Sequence, residues 1–182
     1  KVNPPYYIVY LADHDITTEI TPTSRAARFR FTFPESDSSH VVIDALDMGS
    51  YVKVIPEENK IIGYTTKNSG GVPDNFRNYF IIEFDKKFTA SHTFSGEEIS
   101  EDLEVEAEHV GSVISFKTEK GEVINAKVAS SFISYDQAEL NLKEIGNDDF
   151  ETVKEKGRKE WNKELSRIKV EGGTPDEVAT FY

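Results

Sequence analysis

Ala27-Arg28-Phe29-Arg30-Phe31-Thr32-Phe33 sets three phenylalanines in strict alternation with Arg28, Arg30 and Thr32. Successive side chains of a strand point to opposite faces, so the phenylalanines share a buried face and the two arginines a wet one. Outward from this stretch, Tyr6–Leu11, Ile16–Thr21, His40–Asp44, Tyr51–Ile55, Lys60–Thr65, Arg77–Phe84, Ala90–Phe94, Val113–Phe116 and Val123–Ser131 read as further short β-rich runs. Turn chemistry separates them at Pro34-Glu35-Ser36-Asp37, Pro56-Glu57-Glu58-Asn59, Gly70-Gly71-Val72-Pro73-Asp74-Asn75 and Lys120-Gly121. Asp13-His14-Asp15 reads as a hairpin turn. Glu104, Glu106 and Glu108 alternate with Leu103, Val105 and Ala107, as in an edge strand whose charges discourage pairing with other chains. Short strands at near-regular spacing make the fold mainly β, an antiparallel sandwich or barrel.

After Ile133 the apolar period changes from two to about 3.6, which marks a domain border. Ser134 with Gln137 forms a capping box ahead of Ala138, Leu140, Leu142 and Ile145, and Gly146 stands where a helix C-cap is expected. Asp148 with Glu151 is a second box. Phe150, Val153, Trp161, Leu165 and Ile168 then line one face of a helix running to about Arg167, which places Trp161 in a packed core. Gly157 lies on that face, and a mid-helix glycine costs ~1 kcal/mol against alanine, so this turn is expected to pack closely on another surface. Thr174-Pro175-Asp176-Glu177 supplies an N-cap, a first-turn proline and a capping acid, after which the sequence stops at Phe181-Tyr182. Lys1 leads straight into strand-like sequence without a leader pattern. Both ends read as those of a fragment. The expected division is a β-sandwich over 1–133 with its first strands missing, a helical linker over 134–173, and the start of a further domain over 174–182.

With 21 Lys and Arg against 33 Asp and Glu in 182 residues, the net charge of −12 repels phosphate backbones and argues against nucleic acid as a partner. No stretch approaches the ~20 apolar residues of a membrane span. There is no cysteine, hence no disulfide or thiolate chemistry. His14, His40, His92 and His109 show no metal-ligand spacing, and the acids of 97–108 lack the spacing of a calcium loop, so no metal site and no catalytic residue is assigned. The loop Gly70–Arg77 combines glycine flexibility with Asp74, Asn75, Phe76 and Arg77, groups that hydrogen-bond to and stack on a sugar. These four are the candidate sugar-binding residues.

Several strings resemble a known family. Tyr6-Tyr7, Ile16-Thr17-Thr18-Glu19-Ile20-Thr21-Pro22-Thr23-Ser24-Arg25 and Arg30-Phe31-Thr32-Phe33-Pro34 are similar to the N-terminal domain of glycoside hydrolase family 92, bacterial exo-α-mannosidases. Phe132-Ile133-Ser134, Gln137-Ala138, Asn141-Leu142, Trp161-Asn162-Lys163-Glu164-Leu165 and Val170-Glu171-Gly172-Gly173-Thr174 through Thr180-Phe181-Tyr182 look like its linker and its entry into the catalytic domain. The chain departs from the family in reading Phe29 and Phe31 where His and Tyr are frequent. The resemblance implies a β-sandwich of the supersandwich, galactose-mutarotase-like type, two linker helices, and an (α/α)₆ barrel beginning at Thr174. It further implies a secreted or periplasmic, calcium-dependent, inverting α-mannosidase of α-1,2 type acting on α-mannose-containing glycans. The family's acid, base and calcium ligands belong to the barrel, so this chain alone is expected to be inactive and without cofactor. A strand edge and the Phe181-Tyr182 end, read as exposed surfaces, make self-association expected. The alternative is a stand-alone carbohydrate-binding or structural sandwich.

Overall fold

A computed structural model describes residues 2–181. Its strands are β1 (Val2–Asn3), β2 (Tyr6–Leu11), β3 (Ile16–Pro22), β4 (Ala26–Phe33), β5 (Ser36–Asp44), β6 (Ser50–Ile55), β7 (Lys60–Thr65), β8 (Asn78–Phe84), β9 (Ala90–Ser95), β10 (Glu98–Ser100), β11 (Glu104–Ala107), β12 (Val110–Thr118) and β13 (Glu122–Ser131). Helices α1 (Tyr135–Leu142), α2 (Phe150–Leu165) and α3 (Pro175–Phe181) follow. The strands form a nine-stranded sheet, β1-β2-β3-β4-β13-β8-β7-β6-β11, and a four-stranded sheet, β10-β9-β12-β5, with antiparallel pairing throughout. The fold is a two-sheet β-sandwich.

The alternation along β4 decides which side of the large sheet faces inward. Phe33 is buried, and Phe29 and Phe31 pack against the same inter-sheet core, which gathers Val52, Val54, Ile61, Phe84 and Ile124 of the large sheet with Val110, Ile114 and Phe116 of β12. The opposite face of the large sheet is not wet. Helices α1 and α2 lie on it, and Ala26, Ile81 and Ala129 form a second core with Ala138, Leu142, Ile145 and Val153.

Polar groups fix the helices in place. Arg30 donates twice to Glu19, from Nε at 2.6 Å and Nη2 at 2.7 Å, while Tyr6 donates to the same carboxylate at 2.6 Å. A third Arg30 nitrogen reaches Glu151 of α2 at 2.9 Å, and the guanidinium lies 4.2 Å from the centroid of Phe150. Hydrogen bonding to Arg30 holds the Glu19 carboxyl below its usual range despite burial. Burial, then the bond to Glu19, pushes the Tyr6 phenol up to about 12. Glu144, in the α1–α2 connection, receives Thr23 Oγ1 at 2.7 Å and Arg25 Nε at 2.6 Å, a second tie to the β3–β4 turn.

Several sequence expectations need correction. β5 begins at Ser36, so the turn before it is reduced to Pro34-Glu35, and a further short strand, Glu98–Ser100, pairs with β9. Arg28 and Arg30 are half-buried because α2 covers their face. The N-cap of α2 is Asp149, which accepts from Thr152 N at 2.8 Å; the adjacent Asp148 instead pairs with Lys156. Helix α1 ends at Leu142, and Gly146, with φ 56°, sits in the turn beyond it, its carbonyl accepting from Lys127. Only Phe150 and Val153 of the α2 stripe are buried, and Trp161 is 47% exposed. The reason is geometric: past Gly157 the helix has outrun the sheet. Ser134 caps α1 through Gln137 N at 3.1 Å, and Thr174 and Glu177 exchange a full capping box ahead of α3. Tyr182 and Lys1, both read in the sequence, lie outside the described residues.

Three outcomes are expected. A Cβ added at Gly157 would come 2.9 Å from Pro5 Cβ, so Gly157→Ala should fail to gain the ~1 kcal/mol that the same change gives in an open helix, and Gly157→Leu should lower the urea midpoint. Arg30→Met strands the buried Glu19 carboxylate. It should cost about 3 kcal/mol, the low end for a buried pair because the arginine side chain is partly solvated. A group with a depressed pKa adds stability above its unfolded value of 4.5 that is lost as pH falls through the lower folded value. Glu19→Gln should therefore flatten the loss of stability below pH 4.5; an unchanged acid limb would refute this role for Glu19.

Candidate functional site

The outward face of the large sheet is covered by helices over β3, β4, β13 and β8, and carries aromatic side chains toward its β11 edge. Register places Glu106 opposite Tyr51, Tyr51 opposite Tyr64, Tyr64 opposite Tyr79, and Tyr79 opposite Ser131, one residue from each of five neighbouring strands. Directly opposed residues are the closest cross-strand neighbours, so the rings meet. Tyr51 stacks on Tyr64 with centroids 5.6 Å apart, Tyr64 meets Tyr79 edge-on at 6.1 Å, and Tyr79 meets Tyr135 of α1 edge-on at 4.8 Å.

Carboxylates and one guanidinium complete this row. Tyr51 donates to Glu104 at 2.9 Å and Tyr64 to Glu106 at 2.6 Å, while Lys53 pairs with Glu104 at 2.9 Å. Burial, then the bond to Glu104, pushes the Tyr51 phenol up to about 12, and burial followed by Glu106 raises that of Tyr64. Burial also raises Tyr135, whose hydroxyl oxygen is enclosed without a hydrogen-bond partner. The Arg77 guanidinium lies 4.8 Å from the Tyr64 centroid, and among the described residues no carboxylate forms an ion pair with it. A depression of about 500 Å³ opens there, lined by Tyr64, Thr66, Arg77, Glu106 and Glu108.

The four candidate sugar-binding residues divide. Arg77 joins the tyrosine row. Phe76, whose backbone N–H donates a hydrogen bond to Pro73 O at 2.9 Å, packs on Phe132, with centroids 5.5 Å apart and ring planes at 32°. Asp74 and Asn75 stand exposed at the loop tip. Phe132 and Ile133, in the β13–α1 link, are 69% and 74% exposed. Neither Phe132 nor the tyrosine row was singled out from sequence. The outward register of Tyr51 and Tyr64 was readable strand by strand, but their adjacency depends on pairing that a single sequence does not display.

The other features have ordinary partners. His109 bonds to Asp44 at 2.8 Å, His40 to Ser115 at 2.9 Å, and His14 occupies the exposed hairpin turn where Tyr10 donates to Asp15 at 2.9 Å. Among the described residues no three His, Asp or Glu side chains converge as metal ligands. Trp161 borders a cleft of about 570 Å³ with Thr23, Glu144, Lys156 and Glu160. Among the described residues no helix is long and apolar enough to cross a membrane. The site thus offers aromatic surface, one unpaired cation and several acceptors, the means of binding a hydroxyl-rich ligand.

Comparisons place these features in a family. The glycosyl hydrolase family 92 N-terminal domain matches residues 1–131, and the catalytic domain of the same family matches residues 137–182. An inverting mannosidase of that family from Bacteroides thetaiotaomicron is 36% identical and superposes with a TM-score of 0.90 over 96% of this chain and 24% of its own. An α-mannosidase of the same family and organism, solved in complex with mannoimidazole, is 30% identical, with a TM-score of 0.86 over 95% of this chain and 24% of its own. A search of curated proteins finds no match. The chain spans about a quarter of the length of these solved relatives. With the N-terminal domain matched over most of the sequence and the sandwich superposing on mannosidase structures, the chain belongs to glycosyl hydrolase family 92.

Proposed function

We propose that the chain is the N-terminal sandwich and the catalytic-domain entry of an inverting, calcium-dependent α-mannosidase that removes α-1,2-linked mannose from glycans in a secreted or periplasmic setting. The observation that carries this reading is the paired match of both family domains, in order, with mannosidases among the relatives. The division at 133 and 173 into sandwich, linker and barrel start belongs to the same proposal.

Inverting hydrolysis sets a general acid and a general base on opposite sides of the glycosidic bond, about 6.5–9.5 Å apart, so that water fits between base and sugar. Such a pair works only if its frame is rigid to a fraction of an ångström. The proposed role of this chain is to supply part of that frame. The Glu19–Arg30–Glu151 junction and the Gly157 contact on Pro5 set the angle at which α2 leaves the sandwich. The distal half of α2, with Trp161 half in solvent, is then a surface on which the remainder of a catalytic domain packs. Among the described residues no three His, Asp or Glu side chains converge as ligands for calcium.

The chain by itself should leave an aryl α-mannoside intact, and millimolar calcium should not move its melting temperature. A protein continuing from this sequence through a whole family 92 catalytic domain should hydrolyse the same substrate, release β-mannose first as seen by proton NMR, and stop when calcium is chelated. Turnover by this chain alone, abolished by changing one of its own Asp or Glu residues, would place catalysis in the sandwich and defeat the reading. Association at high concentration, followed by light scattering, is expected of an exposed Trp161 face.

A further inference from the structure

We propose that the open edge of β5 is a self-association site, where a second copy of this chain adds its own β5 antiparallel about a two-fold axis at Val42. β5 ends the four-stranded sheet, and among the described residues it pairs with β12 alone. The other edge strands are short or charged: β1 has two residues, β10 three, and β11 four with Glu104 and Glu106 exposed. Those are ordinary ways of blunting an edge. β5 runs for nine residues, and past the register shift opposite Phe116 and Thr118 its stretch Ser39-His40-Val41-Val42-Ile43-Asp44 is regular and holds no lysine, proline or glycine.

Backbone direction fixes what faces the edge. Ala45 N donates to Val110 O at 3.0 Å and Gly111 lies opposite Asp44, so Ser39, Val41 and Ile43 turn their N–H and C=O groups to β12. Those of His40, Val42 and Asp44 are left to the open edge. The same three side chains are exposed, Val42 by 60%, whereas Val41 and Ile43 pack on the inter-sheet core.

This stretch is complementary to itself. In an isologous contact residue i meets j and j meets i. With Val42 on the axis, it meets Val42 of the second copy, His40 meets that copy's Asp44, and Val41 meets its Ile43, each on the face where it already lies. The opposed outward residues all present edge-facing N–H and C=O groups to one another. Moving the axis to Val41 sets His40 against valine, and moving it to Ile43 sets Asp44 against valine, so the register centred on Val42 is the one that joins imidazole to carboxylate. Both groups have room for the bond. Asp44 accepts from Leu46 N and His109 Nε2 on Oδ1, which leaves Oδ2; His40 holds Ser115 through Nδ1 at 2.9 Å, and its Nε2 has the exposed Ser38 hydroxyl at 3.3 Å. The result is one sheet continuous through both copies, joined by few residues and therefore a weak, transient dimer.

The test is oxidation of Val42→Cys in a chain that otherwise has no cysteine. Opposed residues of a hydrogen-bonded antiparallel pair have Cα atoms about 5.5 Å apart, within disulfide range. At about 0.15 M salt, where charges more than ~8 Å apart are largely screened despite −12 on each copy, a disulfide-linked dimer should form. Ile99→Cys, exposed on the same sheet at its opposite edge, should give none. Without oxidant, sedimentation velocity of the unaltered chain should show a monomer–dimer equilibrium. Val42→Lys, which opposes two cations on the axis, should weaken it about tenfold with no change in melting temperature, and His40→Asp should weaken it too and serves if Val42→Lys fails to fold. Trp161→Ser should leave it intact, which separates this edge from the α2 face. Equal cross-linking of Ile99→Cys, a dimer lost with Trp161→Ser and kept with Val42→Lys, or a monomer at every concentration would overturn the proposal. In the longer protein, a monomer whose Val42→Cys thiol is closed to maleimide would make the edge a contact between domains and likewise overturn it.

Discussion

Arg30 and Glu19 stand directly opposite each other on β4 and β3, and much of the architecture follows from that pairing. A slip of one residue between the two strands would send Arg30 into the inter-sheet core and Phe29 and Phe31 onto the face beneath α2. The bidentate ion pair therefore opposes the register error that the alternating sequence would otherwise tolerate most easily. Its energetic worth is in what removal leaves behind: a carboxylate already stripped of water and served only by Tyr6. The same guanidinium also reaches Glu151 and covers Phe150, so one side chain couples strand register to helix position.

That coupling explains the two cores. The inner one is the usual filling of a sandwich, Ile and Val from alternate positions with Phe33, Phe84 and Phe116 at its centre. The outer one is small and sets three alanines, Ala26, Ala129 and Ala138, among Ile81, Leu142, Ile145 and Val153, and the alanines let helix and sheet backbones approach closely. Gly157 extends the principle, since its missing side chain admits the ring of Pro5. Buried Asn141, which donates to Ser130 O at 2.7 Å, ties α1 to the end of β13 where the chain leaves the sheet. A compact apolar core, small residues at the close approaches and single polar ties together hold the helices. Such contacts specify geometry more than they add stability.

Much of this was legible because it is local. The period of two in β4, the glycine in a helical stripe and the Thr174–Glu177 box each report on a few neighbouring residues, and each reappears in the structure. What was not legible depended on distant pairing or on choice between equals. Asp148 and Asp149 both satisfy a capping pattern, and only the helix axis decides between them. The apolar stripe through Trp161 was real, but a stripe does not say how far its partner extends. The candidate residues Asp74, Asn75, Phe76 and Arg77 were found from loop chemistry, whereas Phe132 and the tyrosine row come from segments far along the chain.

The outward face of the large sheet thus has two unlike halves. Over β3, β4 and β13 it is sealed by helices through an ionic junction and a small apolar core. Toward β11 it carries Tyr51 and Tyr64 tethered to Glu104 and Glu106, an edge whose carboxylates are occupied by phenols rather than left to repel one another. Those bonds keep the edge strand charged and solvated, which resists strand addition from another molecule. They also immobilise the ring on which Arg77 rests, and through it the base of the loop that carries Phe76. The loop tip, with Asp74 and Asn75 in solvent, therefore stands on an anchored root, as surface loops carried by a rigid sheet do.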